Sequence, residues 1–93
     1  MIGDRVGAIV SADQKQVKFL GYGILVEEEV PRGIKGMGEI LSARGETNLT
    51  ILLDSGKKVY GCECWWGPEA KIREMIGDRE VVMVTPEAMR AGE

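Results

Sequence analysis

The sequence contains no histidine and only two cysteines, and both shortages exclude chemistry. Histidine is the commonest acid–base side chain near neutral pH and the usual partner of a serine or cysteine nucleophile. Its absence excludes the usual catalytic triads, and we expect no enzyme activity and no cofactor. Two cysteines cannot complete a structural zinc site within one chain, although a symmetric dimer could assemble four thiolates across its axis. We therefore expect no metal and interpret both cysteines as packing residues.

Long apolar runs and an excess of basic residues are also missing. No run approaches the length that crosses a bilayer, and residues 1–10 show neither a basic leader nor a cleavage pattern. The formal net charge is −3, which argues against general duplex binding because that requires clustered lysine and arginine. A small anionic ligand stays compatible with this charge. We expect a cytoplasmic protein with no membrane partner and with reduced cysteines.

The composition is that of a globular chain. Of 93 residues, 44% are hydrophobic and 29% charged, which suits a single domain with a modest core. We predict one small β-barrel-like domain over residues 1–85 and a loose C-terminal tail over 86–93. Because so thin a core gains from burying a sheet edge, we also predict a homodimer or a larger cyclic oligomer.

Five segments have strand composition: residues 5–11, 17–26, 48–53, 58–64 and 80–85. The third and fourth flank a tight turn at 54–57 and predict a hairpin. Val81 to Val84 is uniformly apolar and should be covered on both faces. Gly21 and Gly23 indicate either a bend at a barrel corner or a close approach to the backbone.

Helical signals are fewer than strand signals. Helical spacing after Pro68 predicts one helix that ends at Gly77. Residues 39–44 could form one or two helical turns or an ordered loop. The fold class is therefore mainly β (α+β): a small SH3-like five-stranded barrel or a bent antiparallel sheet, with one helix after strand 4.

The stretch from Val59 to Glu69, VYGCECWWGPE, together with an earlier Gly-Tyr-Gly, resembles short uncharacterised proteins of tailed phages and prophages. Residues 62–67 carry this resemblance. It implies a viral accessory protein acting in the host cytoplasm. Small phage accessory proteins often block host machinery or sequester nucleotide second messengers of host immunity. The resemblance supplies no catalytic or binding residues.

Two adjacent indoles, Trp65 and Trp66, are the candidate centre of a site. Neighbouring side chains in an extended segment point to opposite faces, so one ring should be core and the other near the surface. Strict alternation would expose Trp65. The chain must turn at residues 66–68, however, and we predict Trp66 as the more exposed ring. That ring could staple the helix start, cover a subunit interface, or form a stacking platform.

Two functions remain open, and neither is catalytic. The first, which we favour from the sequence, is a module that sequesters a small anionic nucleotide-like ligand, with Arg32 and Arg44 as anion contacts. The second is a module that docks and inhibits a host protein through the two tryptophans and the 27–46 loop. Within that loop, the glycine-rich residues 33–38 could cradle a phosphate or could simply be mobile. The candidate ligand-binding residues are Trp66, Trp65, Tyr22, Arg32, Arg44, Lys35 and Glu63.

Overall fold

The long strand β2 organises the sheet. The computed structural model describes residues 1–92, with 14-residue β2 in contact with three other strands. The strands are β1 (Arg5–Ala12), β2 (Gln16–Glu29), β3 (Asn48–Leu53), β4 (Lys58–Tyr60), β5 (Trp65–Pro68) and β6 (Glu80–Met83). The helices are α1 (Met37–Arg44), α2 (Glu69–Ile76) and α3 (Pro86–Arg90), and a 3-10 turn covers Gly61–Glu63.

The strands form one open sheet in the order β4-β3-β2-β1-β5, with all neighbours antiparallel. Strand β6 lies off this path and pairs in parallel with the first residues of β2. The prediction of a mainly β chain with an antiparallel sheet is confirmed, and the hairpin predicted over residues 48–64 forms over 48–60. Within residues 1–92 no pairing joins β4 to β5, so the sheet is not closed into a barrel.

The predicted fourth strand, 58–64, ends at Tyr60, and residues 65–68 form β5 in addition to the five strands expected. Two side chains turn the chain here: Asn48 Oδ1 accepts the backbone N–H of Cys62 at 2.9 Å, and the Glu63 carboxylate accepts the N–H of Tyr60 at 2.9 Å. Both bonds compete with continued pairing along β3. The chain therefore leaves β3 after Tyr60 and reaches the free edge of β1 as β5.

Two clusters of buried apolar side chains stabilise the sheet. Alternate residues of β1 serve both, because Val6 and Ala8 belong to the first cluster, whereas a Cβ on Gly7 would lie 2.8 Å from Ile72 in the second. Helix α2 can pack this closely only because residue 7 has no side chain. The first cluster comprises Val6, Ala8, Leu20, Leu25, Ile51, Leu53 and Val59; the second comprises Ile9, Val17, Phe19, Ile72 and Ile76.

The two glycines of β2 differ in the role that each has in the strand. Gly21 has φ 133°, a backbone conformation that other residues rarely adopt, and it lies between the segments that pair with β6 and with β3. A Cβ on Gly23 would overlap the carbonyl oxygen of Leu52. The first glycine therefore permits an irregular backbone, and the second permits the close approach of β3.

The C-terminal third differs from prediction in two places. Strand β6 ends at Met83, whose side chain is 65% exposed, so the expectation of a strand covered on both faces is wrong. Among the described residues 1–92, β6 is an edge strand whose neighbouring strand is β2. Residues 86–90 form α3, capped by Thr85, where a loose tail was expected. Helix α1 agrees with the helical alternative for residues 39–44, α3 is additional to the helices predicted, and α2 begins at Glu69, directly after Pro68. No helix within residues 1–92 is long and apolar enough to cross a membrane.

Candidate functional site

Strand β5 fixes the orientation of both tryptophans. Trp65 pairs with Ile9 and Trp66 with Ala8, and the register continues without a shift to Pro68. Because the pairing stays regular, side-chain alternation holds through the expected turn. Trp65 is 75% exposed and Trp66 39%, so the prediction that Trp66 is the more exposed ring is wrong. The Trp66 indole Nε1 lies beside Gly61, where an added Cβ would be 3.2 Å from it.

The exposed indole borders a shallow depression of about 370 Å³. We call this surface the Trp65 patch; it is lined by Val10, Cys62, Glu63, Cys64 and Trp65. Its lining is apolar or sulfur-bearing apart from one carboxylate. A surface of this composition suits an apolar group of a ligand or a partner better than it suits an anion.

The two cysteines of the patch are free thiols. Burial raises the pKa of the Cys64 thiol to about 12, and its Sγ donates a weak hydrogen bond to the Tyr60 carbonyl oxygen at 3.5 Å. Burial also raises the pKa of Cys62. Both groups are therefore protonated near neutral pH, which disfavours nucleophilic attack and metal binding because each needs the thiolate. Among residues 1–92, no cluster of three or more potential ligand side chains is arranged to hold a metal ion.

Glu63, the carboxylate of the patch, is held by an arginine that sequence reasoning missed. Arg90 Nε donates to Glu63 Oε1 at 3.0 Å, and Arg90 Nη2 donates to Oε2 at 2.8 Å. The Glu63 side chain is 7% exposed, and its bonds to Arg90 raise the pKa of the guanidinium. A bidentate arginine–carboxylate pair of this kind fixes the orientation of both groups. No sequence pattern links residues 63 and 90, and the only available signal was that a buried carboxylate requires a cation.

A second depression, of about 240 Å³, lies on the other side of this pair. We call it the Lys35 cleft; it is lined by Gly33, Ile34, Lys35, Glu63, Met89 and Arg90. Glu63 lines both the cleft and the Trp65 patch. The structure therefore brings three predicted site residues, Lys35, Glu63 and Trp65, onto adjoining surfaces.

The other predicted residues lie elsewhere. Tyr22 packs edge-on against Phe19 with ring centroids 4.8 Å apart, and the Arg73 guanidinium covers its ring at 4.5 Å. Arg44 lies 3.9 Å from Glu46 at the end of α1, and Arg32 is exposed in the preceding loop. Neither arginine lines the patch or the cleft. Tyr22 is accordingly engaged in packing contacts, and neither depression combines an indole with Arg32 or Arg44.

Comparison of the chain with protein-family models, curated proteins and solved structures finds no match in any of the three. The function is consequently argued from the geometry of the patch and the cleft.

Proposed function

We propose that the chain is a non-catalytic protein-interaction module that docks a partner through the Trp65 patch and the adjoining part of the 27–46 loop. The observation that carries this proposal is the 75% exposure of Trp65. A solvated indole on a regular strand has no packing role that would account for it. Tryptophan is also among the side chains that contribute most to protein–protein binding when an interface buries them.

The position of Trp65 supports docking further. Strand β5 ends the strand order, so within residues 1–92 its outer edge has no neighbouring strand. The ring thus stands at an accessible edge of the sheet rather than inside a cavity. A partner could cover the indole and the shallow patch together, and this would remove a large apolar surface from water.

Sequestration of a small anionic nucleotide-like ligand is the second candidate, favoured by the two cations that line the Lys35 cleft. Pockets that enclose drug-sized ligands usually measure about 300–1,000 Å³. The cleft, at about 240 Å³, is smaller than that range. The Trp65 patch is large enough but lacks a basic side chain among its lining residues. This division of indole and cations places sequestration second.

The resemblance to phage accessory proteins extends both proposals. Under it, the partner of the docking module is a host protein in the cytoplasm, and the module acts by occupying that protein's surface. The open bent sheet belongs, in this proposal, to the SH3-like class of small barrels. A homo-oligomer formed through a free sheet edge is compatible with docking if the Trp65 patch stays uncovered.

Native mass spectrometry of protein purified from cells tests these alternatives. Docking predicts an unliganded mass for the chain and a co-purifying polypeptide, whereas a retained mass near that of a nucleotide supports sequestration.

Trp65→Ala should weaken capture of that polypeptide by about 2 kcal/mol or more, because the indole would be the anchor. Met83→Ala removes a similarly exposed apolar side chain from β6 and should leave capture unchanged. Equal capture by wild type and Trp65→Ala would contradict the docking proposal.

A further inference from the structure

We infer that the Lys35 cleft is an oxyanion-binding subsite that receives a carboxylate of the docked partner, next to the apolar surface at Trp65. The identity of the partner rests on the proposed function. Binding of the oxyanion itself requires only Lys35 and Arg90, so the two ideas can fail separately.

Arg90 is the fixed half of the subsite. Its Nε and one Nη2 hydrogen bond engage Glu63, and Nη2 also donates to the Lys58 carbonyl oxygen at 3.0 Å. An arginine has five N–H donors, and within residues 1–92 the Nη1 group has no acceptor. Three hydrogen bonds therefore fix the position of the guanidinium, while the N–H donors of Nη1 stay available to an added anion. Because its side chain is already ordered, such a group loses little conformational entropy when it binds an anion.

Lys35 is the second cation, and its loop is anchored beside the cleft. Ile34 is buried, and a Cβ on Gly38 would overlap its side chain, so the first turn of α1 packs directly on Ile34. Gly33 and Gly36 have φ of 70° and 67°, which lets the chain turn on either side of this anchor. The segment GIKG thus presents its lysine from a fixed point of the loop. The described residues provide Lys35 with no ion-pair partner.

The charges of the cleft favour one added anion. Lys35 and Arg90 carry two positive charges, and the single lining carboxylate, Glu63, already accepts from Arg90 with both oxygens and from the Tyr60 N–H. Glu63 neutralises one of these cations, so the residues that line the cleft keep a net charge of +1, which attracts an anion. A volume of about 240 Å³ suits a carboxylate or a phosphate group and not a whole nucleotide.

The adjacency of the cleft and the patch favours an acidic side chain of the docked partner as the anion. Because Glu63 lines both depressions, a partner segment with an apolar side chain at Trp65 can place an acidic side chain at Lys35. The charge complementarity would orient the segment as well as attract it. The expected partner surface is therefore an acidic residue beside an exposed apolar one.

Nuclear magnetic resonance titration of the ¹⁵N-labelled full chain tests the subsite directly. Sodium acetate is added at constant ionic strength, with sodium chloride as the balancing salt and sodium phosphate in a parallel titration. We expect saturable shifts of the Gly33, Ile34 and Lys35 amides and of the Arg90 Nε–H with acetate. Lys35→Met keeps the aliphatic stem and removes the charge, and it should weaken acetate binding about two- to fivefold. Lys71→Met, on the exposed side of α2, should not.

Three outcomes would overturn the inference: no saturable shift with acetate, equal shifts with chloride, or equal acetate affinity in Lys35→Met and wild type. Saturation by phosphate alone would overturn the carboxylate assignment and transfer the cleft to the sequestration hypothesis. Acetate binding that survives Trp65→Ala supports the subsite whether or not partner capture is lost. Failure of partner capture with intact acetate binding would therefore contradict only the docking proposal.

Discussion

The α2 face of the sheet and the surface around residues 61–65 both combine aromatic rings with arginines, but they differ in how far these groups satisfy one another. On the α2 face, Tyr22 packs against Phe19 and is covered by Arg73, and Ile72 is buried beneath the helix. On the other surface, Arg90 turns towards a carboxylate, and Trp65 stays in solvent. Aromatic rings and arginines thus pack on one another on the α2 face, whereas on the other surface they are separate and the indole stays available.

The ion pairs of the two regions differ in the same way. Arg5 joins Asp54 at 2.7 Å and Glu69, the first residue of α2, at 3.4 Å. Exposed pairs of this kind contribute little to stability because water and salt screen them. Glu63, in contrast, is almost fully buried against Arg90. We expect the energetic importance of charge to be greater near residues 61–65 and the importance of apolar packing to be greater under α2.

Truncation of the two most informative apolar side chains should separate the regions most clearly. Ile72→Ala removes a buried side chain from the second cluster and should lower the free energy of unfolding by about 2–5 kcal/mol. Trp65→Ala removes an exposed ring and should change it by less than about 0.5 kcal/mol. Urea denaturation followed by circular dichroism measures both. A large destabilisation by Trp65→Ala would mean that the ring is core and would remove the basis of the docking surface.

Removal of a carboxylate should have a smaller effect than Ile72→Ala. Glu63→Ala leaves the Tyr60 N–H without its acceptor and Arg90 without its carboxylate partner, and we expect a loss of about 1–3 kcal/mol of unfolding free energy. Asp54→Ala, which removes the exposed partner of Arg5, is the matched variant and should cost less. Equal losses in urea denaturation would show that burial does not distinguish the two pairs.

Thiol reactivity should distinguish Cys62 from Cys64 within the candidate site. Cys64 has a pKa of about 12 and lies against the first cluster, so its thiolate is scarce at pH 8. Burial raises the pKa of Cys62 too, but that thiol lies in the turn. Under native conditions iodoacetamide should modify Cys62 first and Cys64 only on unfolding. Mass spectrometry of the alkylated chain would contradict this ordering if Cys64 reacted first.

The smallest expected effect is a dependence of stability on acid. The Arg5 hydrogen bond holds the pKa of Asp54 below its ordinary 3.8, and the Gln16 N–H does the same for Asp13. Because the folded pKa values are lower than the unfolded ones, their contribution is complete above pH 3.8 and is lost as pH falls through the folded values. The urea concentration at the denaturation midpoint should therefore decrease as the pH is lowered below about 4. Asp54→Asn should flatten that slope, and an unchanged slope would exclude Arg5–Asp54 as a source.

Local patterns predicted the elements of this fold better than their extents. Alternation and turn composition located β1, β2 and the 48–60 hairpin, and helical spacing located α2, because these signals arise within one element. The strand predicted over 58–64 ends early because of Asn48 and Glu63, two side chains whose backbone partners only the folded chain defines. Sequence periodicity cannot represent such bonds.

The site was predicted in part for the same reason. Trp65, Glu63 and Lys35 were selected by residue type, and the structure brings them onto adjoining surfaces. The ranking of the two indoles was wrong because the turn expected at 66–68 proved to be regular β structure against β1. Arg90 was missed because its role depends on α3, a short helix whose capping residue, Thr85, was read as the end of a strand.

The pairing of β5 with β1 also sets the order in which the chain can fold. Strands β1 to β4 pair with their neighbours in the chain, so their contacts close shorter loops, the longest of them between Gly23 and Leu53. The Val6–Pro68 pair, by contrast, closes a loop of 68 − 6 = 62 residues. Because loop closure over a longer segment costs more entropy and slows folding, we expect the four-strand meander to assemble first. During synthesis the outer edge of β1 therefore stays open until Trp65–Pro68 has been made, and in that interval nascent chains are most prone to pair with one another.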